Sequence, residues 1–177
     1  TLPFTRCLAG PVDFTPAIFN FSEVVEGTHP HSTLAKQLAE FVVLYSPLQM
    51  AADLPENYAK YNDAFQFIRD VPCDWSDSRY LEAEPARYIT VARKDKKSDN
   101  WFVGGKCNED GHNSVIKLDF LDKGRKYEAT IYADAKDADY EKNPKAYVIT
   151  KKTVKKGDVL KLRQARGGGF AISLIAK

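Results

Sequence analysis

The sequence is poor in the residues that most often reveal a site by their spacing, with three cysteines, three histidines and one methionine among 177 residues. Cys7, Cys73 and Cys107 are odd in number and match neither a CxxC pair nor a zinc pattern, so we expect unpaired thiols, with Cys7 buried. No apolar run reaches the roughly 20 residues of a membrane span, and no signal peptide is recognisable. The cysteine pattern gives no support for export, although periplasmic proteins can lack disulfides.

The sequence also lacks a bias of charge, because 26 basic and 24 acidic residues leave a net charge of +2. The overall charge therefore does not indicate a polyanionic partner. Lysines cluster at residues 94–97 and 151–156, which suits either a nucleic-acid patch or hairpin tips and edge strands that lysine keeps soluble. We favour the second interpretation and expect neither a nucleic-acid nor a membrane partner.

The opening of the chain predicts a short buried strand from Leu2 to Leu8, followed by a loop that presents Asp13 and Phe14. A strand that ends in a loop with a carboxylate and an aromatic is typical of the rim of an α/β barrel. A complete eight-stranded barrel takes about 250 residues, which is more than this chain has. Because a lone strand has no neighbour to pair with, we expect the chain to be the last part of a longer protein.

An amphipathic helix is predicted next, with Ser32 or Thr33 as its N-cap and Pro47 after its end. Its apolar residues recur at helical spacing and are Leu34, Leu38, Phe41, Val42 and Tyr45, flanked by Ala35 and Ala39. Gln37 is expected on the opposite face with its charged neighbours. The apolar stripe would cover the opening strand, and the two elements would form the last strand-and-helix unit of a barrel.

Residues 46–72 predict a connection that contains a turn, a short helix before Pro55, and a second short helix over 63–69. Phe65 and Ile68 are expected to dock the second helix. We place a domain boundary near Pro72 to Asp74. The boundary divides the chain into residues 1–73, the end of a barrel with bridging helices, and residues 74–177, a β domain.

From Trp75 the pattern changes to short runs rich in β-branched and aromatic residues, separated by turn signals. The eight runs are 79–82, 88–92, 101–104, 115–120, 127–132, 147–150, 159–162 and 170–174. The turns at Asn108–Gly111 and at Lys156-Gly157 fit hairpin tips. This succession of short strands predicts an antiparallel β-sandwich.

Four motifs carry a resemblance to a known family. They are Leu2-Pro-Phe-Thr-Arg6, Leu8-Ala-Gly-Pro-Val-Asp-Phe-Thr-Pro16, Ser46-Pro-Leu-Gln-Met50 and Gly167-Gly-Gly-Phe-Ala-Ile172. Together they resemble the C-terminal part of glycoside hydrolase family 97, which contains bacterial α-glucosidases and α-galactosidases. The resemblance implies an α+β fragment, in which the last strand and helix of a catalytic (β/α)8 barrel are followed by a C-terminal antiparallel β-sandwich.

The resemblance also implies a function for the parent protein, the hydrolysis of α-glucosides or α-galactosides with the help of calcium. Such hydrolysis needs two carboxylates across the scissile bond. In the family, the catalytic carboxylates and the calcium-binding glutamates precede the Pro-Phe-Thr-Arg motif, so we expect this chain alone to be inactive. The family resemblance further suggests a periplasmic or extracellular location. The alternative is a non-catalytic module that binds carbohydrate or mediates oligomerisation through the sandwich.

Three residues near the start of the chain are candidates for contact with an α-glycoside or oligosaccharide substrate. Asp13 offers a carboxylate for a pair of sugar hydroxyls, Phe14 a ring for the apolar face of a pyranose, and Arg6 a cation that orients a carboxylate. Equally, Arg6 and Asp13 can form a buried ion pair with Phe14 packed beneath. Where the family tends to have Met-Asp-Tyr-Thr-Pro-Gly, residues 12–17 read Val-Asp-Phe-Thr-Pro-Ala, so a tyrosyl hydroxyl is lost and the last position is less permissive.

Two further sets of residues invite a catalytic or metal-binding interpretation. Glu23 and Glu26 lie in an irregular loop without a partner carboxylate fixed beside them, which favours solvated loop charges. His29 and His31 form an H-x-H pair, and His112 lies far along the chain. An H-x-H pair can bind zinc when a third ligand arrives, but no cysteine or carboxylate at a telling spacing supplies one. We therefore favour exposed loop histidines.

Aromatic residues in the predicted sandwich suggest either a carbohydrate platform or an apolar core and interface. They are Trp75, Tyr80, Tyr88, Trp101, Tyr132 and Tyr147. Trp101 alternates with Val103 and is expected in the core. An exposed aromatic groove would favour carbohydrate binding, whereas a flat apolar patch would favour self-association.

Overall fold

The computed structural model describes residues 1–22 and 29–177. Its helices are α1 (Leu34–Val43), α2 (Pro55–Ala59) and α3 (Asn62–Asp70). Its strands are β1 (Trp75–Glu84), β2 (Tyr88–Asp95), β3 (Trp101–Cys107), β4 (His112–Lys117), β5 (Lys126–Asp134), β6 (Tyr147–Lys155), β7 (Val159–Gln164) and β8 (Gly169–Ala176). None of the helices in the described residues is long and apolar enough to cross a membrane.

The strands form two antiparallel sheets. Six of them lie in the order β1-β2-β3-β8-β5-β6, and β4 pairs with β7 in a separate two-stranded sheet. Each of the eight predicted runs overlaps one of the observed strands, although the run 115–120 continues three residues past the end of β4, so the prediction of an antiparallel β domain is confirmed. The lysines of residues 151–155 lie on β6, which is an edge strand, as expected of a protected sheet edge.

The two sheets enclose one apolar core. Trp101 and Val103 of β3 pack there with Ile116 of β4 and Leu160 of β7, and Trp101 is 2% exposed. In β4 the buried residues alternate with exposed ones, because only one face of a two-stranded outer sheet meets the core. The expectation that Trp101 belongs to the core is confirmed.

The opposite face of the six-stranded sheet carries the helices. Leu38 and Val42 of α1 and Phe67 of α3 pack in a second apolar cluster with Phe102 and Tyr132 of the sheet. β3 and β8 are consequently buried on both faces. The predicted α1 and its Thr33 N-cap are confirmed, since the N–H of Lys36 donates to Thr33 Oγ1 at 3.2 Å. The predicted partner of α1 is wrong, because the apolar stripe of the helix packs on the six-stranded sheet, and of the opening segment only Phe4 packs beside it, against the cluster of Val43, Ile89 and Val91.

The opening segment is not a strand. Leu2–Phe4 and Arg6–Leu8 form two 3₁₀ turns, in which the N–H of Phe4 donates to the carbonyl of Thr1 at 2.9 Å. Leu2 and Leu8 are exposed and Cys7 is half-buried, so the predicted buried strand and buried thiol are wrong for this chain. The physical reason is that no strand among the described residues pairs with the segment, and local turns satisfy its backbone groups instead.

Two details of the connections also differ from expectation. The turn at Asn108–Gly111 carries the chain from β3 to β4, and Lys156-Gly157 from β6 to β7, so both cross between sheets and are not hairpin tips. In the bridge, the second helix is docked mainly by the fully buried Phe67, while Phe65 and Ile68 pack at the margin. Turn residues show where a chain reverses, but not which strand it pairs with next.

Candidate functional site

The loop that carries two of the three predicted substrate contacts spans residues 12–20, and we call it the Asp13 loop. At its start the N–H of Val12 donates to the carbonyl of Tyr45 at 3.0 Å, and Phe14 forms an isolated parallel bridge with Gln49. The loop therefore begins against the segment that follows α1. Its remaining backbone has no regular secondary structure and depends on side chains for its hydrogen bonds.

Gln37 of α1 holds the middle of the Asp13 loop. Its Oε1 accepts from the N–H of Ala17 at 3.0 Å and of Ile18 at 3.1 Å. Gln37 is 8% exposed, so the expectation that it lies on a polar outer face is wrong. Ala17 has a φ of 72°, in the region that favours glycine, so this residue is held in a strained conformation where the family tends to have glycine.

Asp53 holds the end of the Asp13 loop. Its Oδ2 accepts from the N–H of Phe19 at 2.7 Å and of Asn20 at 2.6 Å, while Oδ1 accepts from the N–H of Leu54 and from Asn57 Nδ2. Burial alone would raise the pKa of Asp53, but the hydrogen bond from Asn57 and those from the three backbone N–H groups outweigh it, so the pKa is lowered. Asp53 is therefore a fixed anion that organises the loop.

Tyr58 of α2 links Ala17, which Gln37 also holds, to the backbone of Asp53. Its hydroxyl donates to the carbonyl of Ala17 at 2.8 Å and accepts from the N–H of Asp53, also at 2.8 Å. We call Gln37, Asp53 and Tyr58 the loop clamp. Sequence reasoning missed all three clamp residues. The one available signal was the Asp53-x-Pro55 pattern at the start of a helix, and nothing local pointed to the Asp13 loop.

The clamp fixes a loop whose outer side chains face solvent. Asp13 is exposed and Phe14 half-buried, so the loop presents a carboxylate and part of an aromatic ring from a rigid backbone. Arg6 is exposed as well, and its nearest polar partner is the carbonyl of Gly10 at 3.4 Å. Within residues 1–22 and 29–177, no ion pair joins Arg6 to Asp13, so the chain does not contain the buried pair of the alternative interpretation.

The histidines do not form a metal centre with other described residues. The rings of His29 and His31 lie 5.2 Å apart, and His31 is exposed. His112 begins β4 and is not a loop residue; its ring stacks on Tyr88 at 3.7 Å, and Nε2 lies 3.5 Å from Glu82. Of the two histidines expected to be exposed in a loop, His31 is exposed and His29 is half-buried.

A calcium site has no ligand set in the described part of the chain. No group of three or more histidine, cysteine, aspartate or glutamate side chains there is placed to hold a metal ion. Glu23 and Glu26 lie outside the described residues. The described residues therefore do not fit the calcium that the family resemblance implies.

The six aromatic candidates do not share one surface. Trp101 and Tyr132 are 2% and 3% exposed, whereas Tyr80 is 53% exposed. Trp75 packs against Phe102, Tyr88 stacks on His112, and Tyr147 donates its hydroxyl to Asp63. Of the two interpretations of these six residues, the carbohydrate platform is not supported, because only Tyr80 among them is broadly exposed.

Tyr80 lies on a groove at the open edge of the sandwich, between β1 and the end of β4. We call it the edge groove, and its lining residues are Ser78, Arg79, Tyr80, Leu81, Val115, Ile116, Lys117, Asp119, Phe120 and Lys156. The N–H of Val115 donates to Glu82 Oε1 at 2.9 Å, which fixes β4 beside β1. The groove combines exposed aromatic and aliphatic groups with charges of both signs.

The β domain of this chain matches a known family model. Residues 74–175, more than half of the chain, match a family model described as "Glycosyl-hydrolase 97 C-terminal, oligomerisation". The chain belongs to glycoside hydrolase family 97. The resemblance carried by the four sequence motifs is confirmed, and the family 97 chain contains the C-terminal β domain of that family.

Relatives of known name are similar over almost the whole family 97 chain. It is 31% identical to the retaining alpha-galactosidase of Bacteroides thetaiotaomicron over 98% of its length, and 29% identical to a probable retaining alpha-galactosidase of Streptomyces bingchenggensis over 97%. It covers 26% and 24% of these two proteins. The chain thus spans about a quarter of the length of the curated relatives that it matches.

Solved structures give the same assignment. A family 97 enzyme from Pseudoalteromonas sp. strain K8, solved in complex with panose, is 48% identical and superposes with a TM-score of 0.96 over 99% of this chain and 28% of its own. The complex of a family 97 enzyme from the same strain with acarbose matches equally well. A beta-arabinopyranosidase, 23% identical with a TM-score of 0.77 over 95% of this chain and 26% of its own, shares the fold.

Proposed function

We propose that this chain is the C-terminal part of an enzyme that hydrolyses α-galactosides or α-glucosides, with its catalytic carboxylates in a preceding part of the protein. The family match of residues 74–175 carries the proposal. The names of the relatives support an α-galactoside substrate, and the panose and acarbose complexes of the Pseudoalteromonas structures support an oligosaccharide. By the same family argument, the enzyme uses calcium held by residues outside the described ones, and acts in the periplasm or outside the cell.

The proposal includes a barrel as the partner of residues 1–73. Among the described residues, large apolar side chains that face solvent are concentrated near the start of the chain, at Leu2, Leu8, Ile18, Leu48, Met50 and Leu54. Such a concentration is typical of a surface that another part of a protein covers. The preceding barrel would bury it, and would give the opening segment the strand neighbours that it lacks here.

The activity is tested with the full-length protein that carries this chain. We expect it to release p-nitrophenol from the p-nitrophenyl α-galactoside or α-glucoside, to lose activity with a chelator, and to recover it with added calcium. Residues 1–177 alone should release none, because they lack the pair of carboxylates that hydrolysis needs. Turnover by residues 1–177 alone, or a full-length protein that cleaves neither α-glycoside, would contradict the proposal.

Within that enzyme, Asp13 would contact the substrate. Replacing Asp13 with Asn in the full-length protein should lower kcat/KM by at least about tenfold, because a hydrogen bond to a charged acceptor is worth about 1.5–3 kcal/mol. Glu109→Gln, which changes an exposed carboxylate in the turn before β4, is the matched control and should leave kcat/KM unchanged. Equal kinetics for both variants would exclude a role for Asp13 in substrate binding.

A second candidate function is self-association through the β domain. The description of the family model over residues 74–175 names oligomerisation, which favours this function over carbohydrate binding by the sandwich. The scattered aromatic residues support the same choice, since the described part of the sandwich offers no continuous stacking platform. This function accompanies hydrolysis by the full-length protein and does not replace it.

A further inference from the structure

The Asp13 loop is attached to the rest of the chain on both sides of Asp13. Before Asp13, the attachment is the backbone hydrogen bond that Val12 donates. After Asp13, the carbonyl of Pro16 accepts from the N–H of Ala52 at 2.9 Å, and the loop clamp holds residues 17–20. Side chains thus control the attachment that follows Asp13.

The backbone between Asp13 and the clamp has little freedom to move. The ring of Pro16 fixes the φ angle of that residue and disfavours the helical conformation at Thr15. Ala17 has a φ of 72°, which is strained for an L-residue and persists only where its surroundings hold it. A displacement of Ala17 is therefore passed on to Asp13 through few rotatable bonds.

The hydroxyl of Tyr58 holds this strained residue in place. It donates to the carbonyl of Ala17 and accepts from the N–H of Asp53, and both distances are 2.8 Å. Tyr58 is 7% exposed and Ala17 is fully buried, so bulk water does not readily replace the hydrogen bond between them. Loss of the hydroxyl would leave the carbonyl of Ala17 and the N–H of Asp53 without this partner.

The ring of Tyr58 connects the Asp13 loop to the β domain. It meets Phe19 of the loop edge to face, with 5.1 Å between the ring centroids, and stacks on Phe65 of α3 at 4.6 Å. From the same helix, Phe67 packs against Phe102 of β3. A set of aromatic contacts, joined by α3, thus runs from the six-stranded sheet to the loop.

We infer that Tyr58 is a positioning residue, which holds Asp13 where it contacts the substrate. The inference rests on the proposed contact of Asp13 with an α-glycoside, and adds the residue that fixes the geometry of this contact. A misplacement of about 1 Å far from the reacting atoms can cost an enzyme about a hundredfold in rate. The inference also gives the β domain a part in catalysis, because α3 and the sheet support Tyr58.

The test measures kcat/KM of the full-length protein with the p-nitrophenyl α-galactoside or α-glucoside that it cleaves. Tyr58→Phe removes only the hydroxyl, and should lower kcat/KM by about three- to tenfold. Tyr61→Phe is the matched control. The Tyr61 ring lies 6.0 Å from that of Phe19, at the margin of the same apolar cluster, and its hydroxyl has no part in the clamp. That variant should leave kcat/KM unchanged.

A second measurement distinguishes positioning of Asp13 from a merely structural role. In a protein that carries Asp13→Asn, adding Tyr58→Phe should change kcat/KM by less than about twofold, because the contact that Tyr58 positions is already lost. An effect of equal size with and without Asp13 would overturn the inference. If circular dichroism shows that Tyr58→Phe does not fold, Gln37→Met takes its place in the same comparison, since it removes the acceptor of Ala17 and Ile18.

The outcomes separate the inference from the proposed function beneath it. Unchanged kcat/KM in Asp13→Asn would overturn the substrate contact, and the inference with it. If Asp13→Asn lowers kcat/KM while a folded Tyr58→Phe behaves like Tyr61→Phe, the substrate contact stands and the positioning role of Tyr58 is overturned.

Discussion

At the scale of single residues, the loop clamp shows how three polar side chains replace secondary structure. Gln37, Asp53 and Tyr58 satisfy backbone groups of the Asp13 loop that no strand or helix satisfies. Leaving such groups unpaired costs about 1–3 kcal/mol each when they are buried. The clamp therefore keeps Asp13 and Phe14 in one place relative to α1.

The clamp should make stability depend on pH through Asp53. Its lowered folded-state pKa means that its contribution to stability is complete above the pKa of the unfolded chain, and is lost as the pH falls through the folded pKa. Asp53→Asn should lower the free energy of unfolding by about 1–3 kcal/mol at pH 7, because an amide accepts fewer of these hydrogen bonds. The difference from wild type should shrink towards pH 3, as measured by urea denaturation at both pH values.

The control for this prediction is Asp13→Asn, which removes an exposed carboxylate from the same loop. That variant should unfold like the wild type at both pH values, within about 0.5 kcal/mol. If Asp53→Asn were as stable as Asp13→Asn at pH 7, the clamp would not stabilise the loop.

At the scale of elements, the start of α1 is joined to the β domain by backbone hydrogen bonds. The N–H of Leu34 donates to the carbonyl of Pro144 at 2.8 Å, and the N–H of Thr33 to that of Gly167 at 3.2 Å. The first N–H groups of a helix have no partner within it. Two connections of the sheet, β5–β6 and β7–β8, thus complete the N-terminal end of the helix.

We call the contact between the start of α1 and these two connections the helix–sheet junction. Asp134 of β5 holds the β7–β8 connection in the shape that the junction needs. Its Oδ2 accepts from the N–H of Ala165 and of Gly169, both at 2.8 Å. Burial raises the pKa of Asp134, against the effect of these hydrogen bonds. A Cβ atom on Gly168 would overlap that carboxylate and lie 2.8 Å from the N and 2.9 Å from the O of Ala165, which explains the absence of a side chain there.

Gly168→Ala should therefore disturb the junction, and lower the free energy of unfolding by about 1–3 kcal/mol, the usual cost of overpacking. Gly124→Ala is the control for backbone strain alone, since Gly124 has a φ of +81° and open space around it. We expect Gly124→Ala to lower the free energy of unfolding by about 1–2 kcal/mol, and to leave the hydrogen-exchange protection of the first α1 amides unaltered. In Gly168→Ala that protection should fall, and unchanged protection at Thr33 and Leu34 would argue against the junction.

At the scale of the whole molecule, the two predicted units share a core. The cluster on the helical face joins Phe19, Leu38 and Phe67 from residues 1–73 to Phe102 and Tyr132 from the sheet. The ring centroid of Phe67 lies 6.1 Å from that of Phe102 and 5.4 Å from that of Tyr132. The domain boundary between residues 73 and 74 stays a prediction. The shared cluster indicates that residues 1–73 and 74–177 unfold together.

Cooperative unfolding is tested by the variant Phe67→Ala. In a background with Trp75→Phe, the fluorescence of Trp101 reports the core between the two sheets, on the far side of the six-stranded sheet from Phe67. Phe67→Ala should lower the free energy of unfolding that this fluorescence transition reports by about 3–5 kcal/mol, the usual cost of such a truncation. If the Trp101 transition stayed in place while the helical circular dichroism melted earlier, the two units would unfold independently.

The candidate site was only partly predictable from sequence. The sequence pointed to Asp13 and Phe14 because a carboxylate and an aromatic follow one another in a loop. It did not point to the clamp, since its members lie 20, 34 and 41 residues from the backbone groups that they bind. The edge groove was missed for the same reason, because Tyr80 and Val115 meet only when two sheets are stacked.

The sequence by itself determined the eight strands, α1 and the family. β-branched and aromatic runs marked the eight strands, and the spacing of Leu34, Leu38 and Phe41 marked α1, because these preferences act over a few neighbouring residues. Only the tertiary structure decided that α1 packs on the sheet, that Asn108–Gly111 crosses between sheets, and that Leu2–Leu8 forms turns. Those choices depend on which apolar surfaces are buried against each other across the whole chain, and no local pattern encodes that selection.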